Sequence, residues 1–127
     1  MNSKIMHYTY HILLAFLIAS LNCLFAQNIK VPKYSTDEAP YHVSEYATVY
    51  GKVYQVHYSK KGHIFINLDG YYPNQKFTGF IFKSNAHNFP NLKYLEGKYV
   101  EITGRISMYK YTYEIIIDSP QQIQTKK

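Results

Sequence analysis

Five short runs with the period of β-strands, two of them interrupted by an internal glycine, constrain this chain more than any other feature. Thr48–Tyr58 alternates apolar and polar residues over much of its length, the pattern of a half-buried strand. Ser59-Lys60-Lys61-Gly62 reads as a turn and His63–Leu68 as the second strand of a hairpin. A loop punctuated by Gly70 and Pro73 leads to a third strand at Phe77–Phe82. Ser84–Leu95 loses the alternation and is expected to hold one short, broken helix. Tyr99–Ile106 and Tyr111–Asp118 form the fourth and fifth strands, and Ser119-Pro120 ends the last. Gly51 and Gly104 lie inside strands one and four, where glycine marks a bend or a bulge.

A sheet of five short strands must curl to bury its inner face, and glycines inside strands permit the curl. The order β-β-β-α-β-β, with a helix placed to plug one open end, is the layout of the five-stranded Greek-key OB-fold barrel: all-β with one short helix. A β-sandwich usually needs about seven strands, and an SH3-like barrel lacks the long helical connection. Val49, Val53, Ile64, Ile66, Ile81, Val100, Ile102, Ile106, Ile115 and Ile117 are the expected core.

Ahead of this domain lies a different kind of segment. Lys4 gives a mildly basic start, Ile12–Ala19 is an uncharged apolar run, and Ala26 is a small residue before a polar chain. That succession is the layout of a secretory signal peptide. Its apolar run is about ten residues, against roughly 20 for a permanent span. Residues 1–26 are therefore expected to be removed on export, leaving the protein in the periplasm or outside the cell. Lipid attachment at Cys23 fits poorly, because Asn22 stands where a small residue is needed. Residues 27–36 are expected to be a flexible leader, with a helical turn beginning near Thr36 or Asp37. The OB-fold domain spans 37–123 and 124–127 form a C-terminal tail.

Cleavage after Ala26 leaves 101 of the 127 residues, enough for one small domain and one core. Such a domain is expected to be a monomer. It carries about five net positive charges, a bias toward anionic partners that does not choose among them. The only cysteine is Cys23, so the exported domain has no disulfide, thiol nucleophile or thiolate metal site. Thirteen of the fifteen tyrosines remain, and tyrosine suits half-exposed sheet faces and ligand-stacking surfaces.

The runs Val49-Tyr50-Gly51-Lys52-Val53, Phe65-Ile66-Asn67-Leu68-Asp69-Gly70 and Tyr72–Thr78 carry a resemblance. So do Leu95-Glu96-Gly97-Lys98, Val100–Ile106 and Ile115–Ile123. In that order they resemble a group of small exported bacterial OB-fold proteins akin to the tRNA-anticodon-binding-like class of nucleic-acid-binding OB domains. The resemblance covers Asp37 to Ile123. It implies binding rather than catalysis, since OB barrels take oligonucleotides, oligosaccharides and proteins alike.

An OB barrel receives ligands across strands two and three, between the loops joining strands one to two and four to five. Single strands are held there by bases stacking on rings while cations follow the phosphates. The first loop offers His57, Tyr58, Lys60 and Lys61. The second offers Arg105, Tyr109, Lys110 and Tyr111, and strands two and three add Phe65, Asn67, Thr78 and Phe80. The expected partner is single-stranded nucleic acid or another polyanion. A protein or glycan of the cell envelope using the same face is the alternative.

Other chemistry finds little support. His57 and His63 could face each other across the hairpin, but only Asp69 could join them, so no metal is expected. There is no Gly-x-Ser-x-Gly elbow, phosphate-cradling glycine loop or His-Glu-x-x-His. Asp69 and Asp118 each precede a turn-forming residue, and strand-end capping accounts for them. No cofactor and no enzymatic activity are expected.

Overall fold

The computed structural model describes residues 3–26 and 29–127, with the backbone alone for 20–26. It divides into two compact units, residues 1–30 and 31–127. In the first, Ser3–Ala26 form one helix, α1, with Ile12, Leu13 and Phe16 exposed. Among the described residues no helix is long and apolar enough to cross a membrane. The expected cleavage edge runs into Gln27, which lies outside the described residues, as does the Cys23 side chain.

The second unit holds seven strands: β1 Lys33–Ser35, β2 Tyr46–Tyr58, β3 Ile64–Leu68, β4 Phe77–Ile81, β5 Tyr99–Tyr109, β6 Thr112–Ile116 and β7 Ile123–Thr125. Their order is β1-β2-β3-β4-β6-β5-β7, and β2 also pairs with β5. Strands β2, β3, β4, β6 and β5 therefore close into a barrel, with β4 and β6 parallel and the other pairs antiparallel. This is the OB-fold barrel that the five periodic runs predict. The broken helix is also present, as α2 (Lys83–Ala86) followed by a 3-10 turn at Leu92–Leu95.

Closure depends on β2 changing partners along its length. Residues 46–52 pair with β5 and residues 53–58 with β3, with a register irregularity between Val53 and Gln55. A Cβ on Gly51 would stand 2.6 Å from Asp69 Oδ2 and 2.9 Å from Thr36 Cγ2. A side chain there would collide with two neighbouring segments, so close approach, more than a need to bend, accounts for the glycine.

All ten expected core residues are buried, joined by Ala47, Val56, Leu68 and Phe77. The connection between β4 and β5 adds Phe89, Leu92 and Leu95 to the same cluster. Burying each large apolar side chain contributes about 1.5–3 kcal/mol.

Two segments expected to lie outside the domain are stitched onto it. Lys33–Ser35, placed by sequence in a flexible leader, run parallel to Thr48–Tyr50. Thr36 is buried and its hydroxyl donates to Asp69 Oδ2 at 2.5 Å, while Asp69 Oδ1 accepts from the Lys52 N–H at 3.0 Å. The C-terminal tail is likewise shorter than expected, because Ile123–Thr125 pair with β5. Gln122 anchors it: Oε1 accepts from the Asp118 and Ser119 N–H groups, and Nε2 donates to the carbonyls of Thr103 and Ile116. Three-residue strands are too short to show a period, which is why the sequence does not reveal them. Asp118 accepts from Asn85 Nδ2 at 3.2 Å, so each of the two aspartates has its own structural partners.

Candidate functional site

Strand alternation sends Ile64, Ile66 and Ile81 into the core and turns Phe65, Asn67, Thr78 and Phe80 to the outer face. Pairing aligns these side chains in two rows across the barrel. One runs Gln55, Asn67, Thr78, Glu114, Ser107; the other runs His57, Phe65, Phe80, Ile116.

The first row is a floor of amides and hydroxyls. Gln55 Oε1 accepts from Asn67 Nδ2 at 3.1 Å and from the Tyr72 N–H at 3.3 Å. The Thr78 hydroxyl donates to Asn67 Oδ1 at 3.2 Å and accepts from Gln75 Nε2 at 3.5 Å. Asn67 and Thr78 are both buried. The second row is aromatic: Phe65 and Phe80 meet edge to face at 5.0 Å, His57 lies 6.0 Å from Phe65, and Phe80 lies 4.8 Å from Phe82.

Above the floor is a groove of about 650 Å³, walled by Tyr72 on one side and by Tyr109, Lys110 and Thr112 on the other. The β5–β6 turn forms the second wall under strain. Lys110 and Tyr111 both adopt positive φ, 44° and 66°, in a two-residue hairpin that ordinarily takes Asn-Gly. A left-handed residue with a side chain costs about 1–2 kcal/mol. The turn sets the Lys110 ammonium 5.3 Å from the Tyr109 ring and leaves Tyr111 almost fully exposed.

Of the residues proposed from sequence, His57, Phe65, Asn67, Thr78, Tyr109 and Lys110 line this groove. Phe80 continues its aromatic row, and Tyr111 stands on the adjoining turn. Lys60 and Lys61 are exposed at the tip of the β2–β3 turn, next to Ser59 on the rim. Tyr58 is elsewhere: its hydroxyl accepts from the Leu92 N–H at 2.9 Å and ties down the β4–β5 connection. Arg105 also lies outside the lining, pairing with Tyr46 and donating to the Ser44 carbonyl at 2.5 Å. The structure thus brings together the rings and one cation, but not the set of four cations that the sequence suggested.

The sequence does not single out Gln55, Ser59, Tyr72, Gln75, Thr112 or Glu114, which also line the groove. Glu114 and Gln55 face outward by simple alternation, whereas Tyr72 and Gln75 come from a loop whose path the sequence does not specify. Burial pushes the Glu114 carboxyl above its ordinary range. His57 lines the groove, but His63 Nδ1 accepts from the Lys83 N–H at 2.9 Å. Among the described residues no group of three or more His, Cys, Asp or Glu could hold a metal ion.

The family model for the tRNA anti-codon type OB-fold nucleic acid binding domain matches residues 47–123. The chain belongs to this family. The matched stretch of this OB-fold nucleic acid binding domain contains both rows of the outer face and the β5–β6 turn. Among solved structures, a protein assigned as an aspartyl-tRNA synthetase from Leishmania major Friedlin is similar at 9% identity with a TM-score of 0.49. The similarity covers 78% of this chain and 21% of that one, so the chain spans about a fifth of that protein's length. No curated protein matches the sequence.

Proposed function

We propose that this protein is an exported, monomeric, non-catalytic OB-fold module that binds single-stranded nucleic acid in the groove over β2, β3 and β4. The observation that carries the reading is the half-buried Phe65–Phe80 pair beside an amide floor, flanked by Tyr109 and Lys110 on the strained turn. Bases would stack on the rings, each contributing about 1–3 kcal/mol. Lys110 at the groove and Lys60 and Lys61 at its rim would follow the phosphates. Membership of a nucleic-acid-binding family supports the ligand class.

Fluorescence anisotropy with single-stranded oligonucleotides at two salt concentrations tests this. Three phosphate contacts predict a slope of log affinity on log salt of about −2. Absence of binding at low salt would refute the reading, and a salt-insensitive glycan or envelope protein ligand would replace it.

Lys4, the uncharged run at Ile12–Ala19 and the small Ala26 support export. Expression in a bacterium should yield a processed protein beginning at Gln27, read by intact mass. A full-length product in the cytoplasm would contradict it.

A further inference from the structure

The polar row beneath the groove has a fixed direction. A backbone N–H can only donate, so the Tyr72 N–H identifies its partner in Gln55 as the oxygen. Asn67 meets the same oxygen and must do so with Nδ2, which leaves Asn67 Oδ1 to take the Thr78 hydroxyl proton. That hydroxyl has one proton, already committed, so Gln75 must face it with Nε2. Gln75 Oε1 is left as the terminal acceptor, buried and without a hydrogen-bond partner. The 3.5 Å contact that holds Gln75 is long, so the side chain can turn that oxygen toward an incoming donor.

On the other side of Thr78 in the register stands Glu114. Its side chain lines the groove, half-buried. Among the described residues its carboxylate has no hydrogen bond or ion pair. Thr78 is therefore flanked by two unpaired acceptors, Gln75 Oε1 and the Glu114 carboxylate, and the lining cation, Lys110, lies against the Tyr109 ring. A phosphate oxygen is an anionic acceptor and has no place here. A neutral group with N–H bonds does.

Resting on the nucleic-acid reading above, we propose that the Glu114–Gln75 end of the groove is a specificity subsite for a base edge bearing an amino group, favouring cytosine, adenine or guanine over thymine or uracil. A carboxylate accepts readily from cytosine N4. Thymine instead presents two carbonyl oxygens around a single N–H, setting acceptor against acceptor. Phe65, two residues from Asn67 on the same face of β3, offers its ring to the base, and Lys110 takes the neighbouring phosphate at the rim.

The test is anisotropy titration of the protein with short oligodeoxycytidine and oligothymidine at neutral pH, two pyrimidines with similar stacking surface. Cytidine should bind about tenfold more tightly. Glu114→Gln removes the charge and supplies a donor to thymine, so the ratio should fall to within about twofold. Equal or tighter thymidine binding by the unsubstituted protein would overturn the subsite, as would an unchanged ratio in the variant. Failure of both oligomers to bind would overturn the nucleic-acid reading itself, a result distinct from binding without preference.

Discussion

The barrel has two outer faces that share β2, and they differ in how completely their polar groups are paired within the protein. On the β1-β2-β5-β7 face Lys33, Glu101 and Arg105 each have a hydrogen-bonding partner within the protein. Glu101 holds Lys33 at 2.8 Å and Lys126 at 3.9 Å, and Lys126 lies 4.9 Å from the Tyr50 ring centroid. Thr48 and Thr103 share a hydrogen bond of 2.7 Å, and Gln122 spends both ends of its amide on the backbone. At the edge of this face the Tyr34 ring stacks on His42 at 3.6 Å and its hydroxyl donates to Glu45. The β2-β3-β4-β6 face leaves Phe65, Phe80 and Phe82 partly open, an unpaired carboxylate at Glu114 and an orphan oxygen on the adjoining Gln75. The first face pairs these polar groups within the protein; the second leaves a carboxylate and an amide oxygen without partners. Short of a ligand, an unsatisfied buried polar group is a cost, and among the described residues the buried side-chain atom left without a partner, Gln75 Oε1, belongs to this groove.

The contrast breaks most directly by removing the rings. Phe65→Ala and Phe80→Ala should each weaken oligonucleotide binding by about 1–3 kcal/mol, roughly five- to 150-fold, with a smaller loss of thermal stability. Gln122→Ala should do the reverse. It strands the Thr103 and Ile116 carbonyls and two N–H groups, costing about 1–3 kcal/mol in a denaturant melt while oligonucleotide affinity stays the same.

The strained turn sharpens the contrast within a single change. Replacing Lys110-Tyr111 with Asn-Gly should stabilise the fold by about 1–2 kcal/mol, because both positions are left-handed. The same change should weaken binding through loss of the Lys110 cation. A turn that loses stability or keeps full affinity would show that the strain is not functional.

Glu114 gives a smaller effect with a definite sign. Its carboxyl is pushed up by burial, so the folded state takes up the proton more readily than the unfolded chain does. The stability associated with the neutral form is present below the ordinary carboxylate range near 4.5 and is lost as pH rises through the higher folded value. Glu114→Gln should flatten that part of the pH–stability profile. At the paired edge Glu45 is held below its ordinary range by His42 and Tyr34, and in the β4–β5 connection Glu96 is held down by the Val56 N–H and Lys93, so both contribute stability that is lost as pH falls below that range. Smallest of all, Lys33→Ala should cost no more than about 1 kcal/mol, since the Lys33–Glu101 pair is half-exposed.

What the sequence reveals of this arrangement follows strand parity. Five runs long enough to show a period of two give the barrel, its core and the outward rings at Phe65 and Phe80. His57 and Tyr58 illustrate the limit of reading by proximity. They are adjacent in the chain, but alternation turns one into the groove and the other toward Leu92. Arg105 has the outward parity of Ser107 and Tyr109, yet it sits where β5 pairs with β2 rather than β6, so it looks away from the groove. Glu114 escapes notice because one acidic residue in an aromatic and aliphatic strand reads as a solvated position. Only the closing of β4 onto β6 places it beside Thr78.

The most direct test is a two-dimensional amide NMR titration of the protein with a single-stranded oligonucleotide. The account predicts shifts that concentrate on Gln55, Phe65, Asn67, Thr78, Tyr109, Lys110 and Glu114. Shifts centred on Lys33, Tyr50, Glu101 and Lys126 would contradict it.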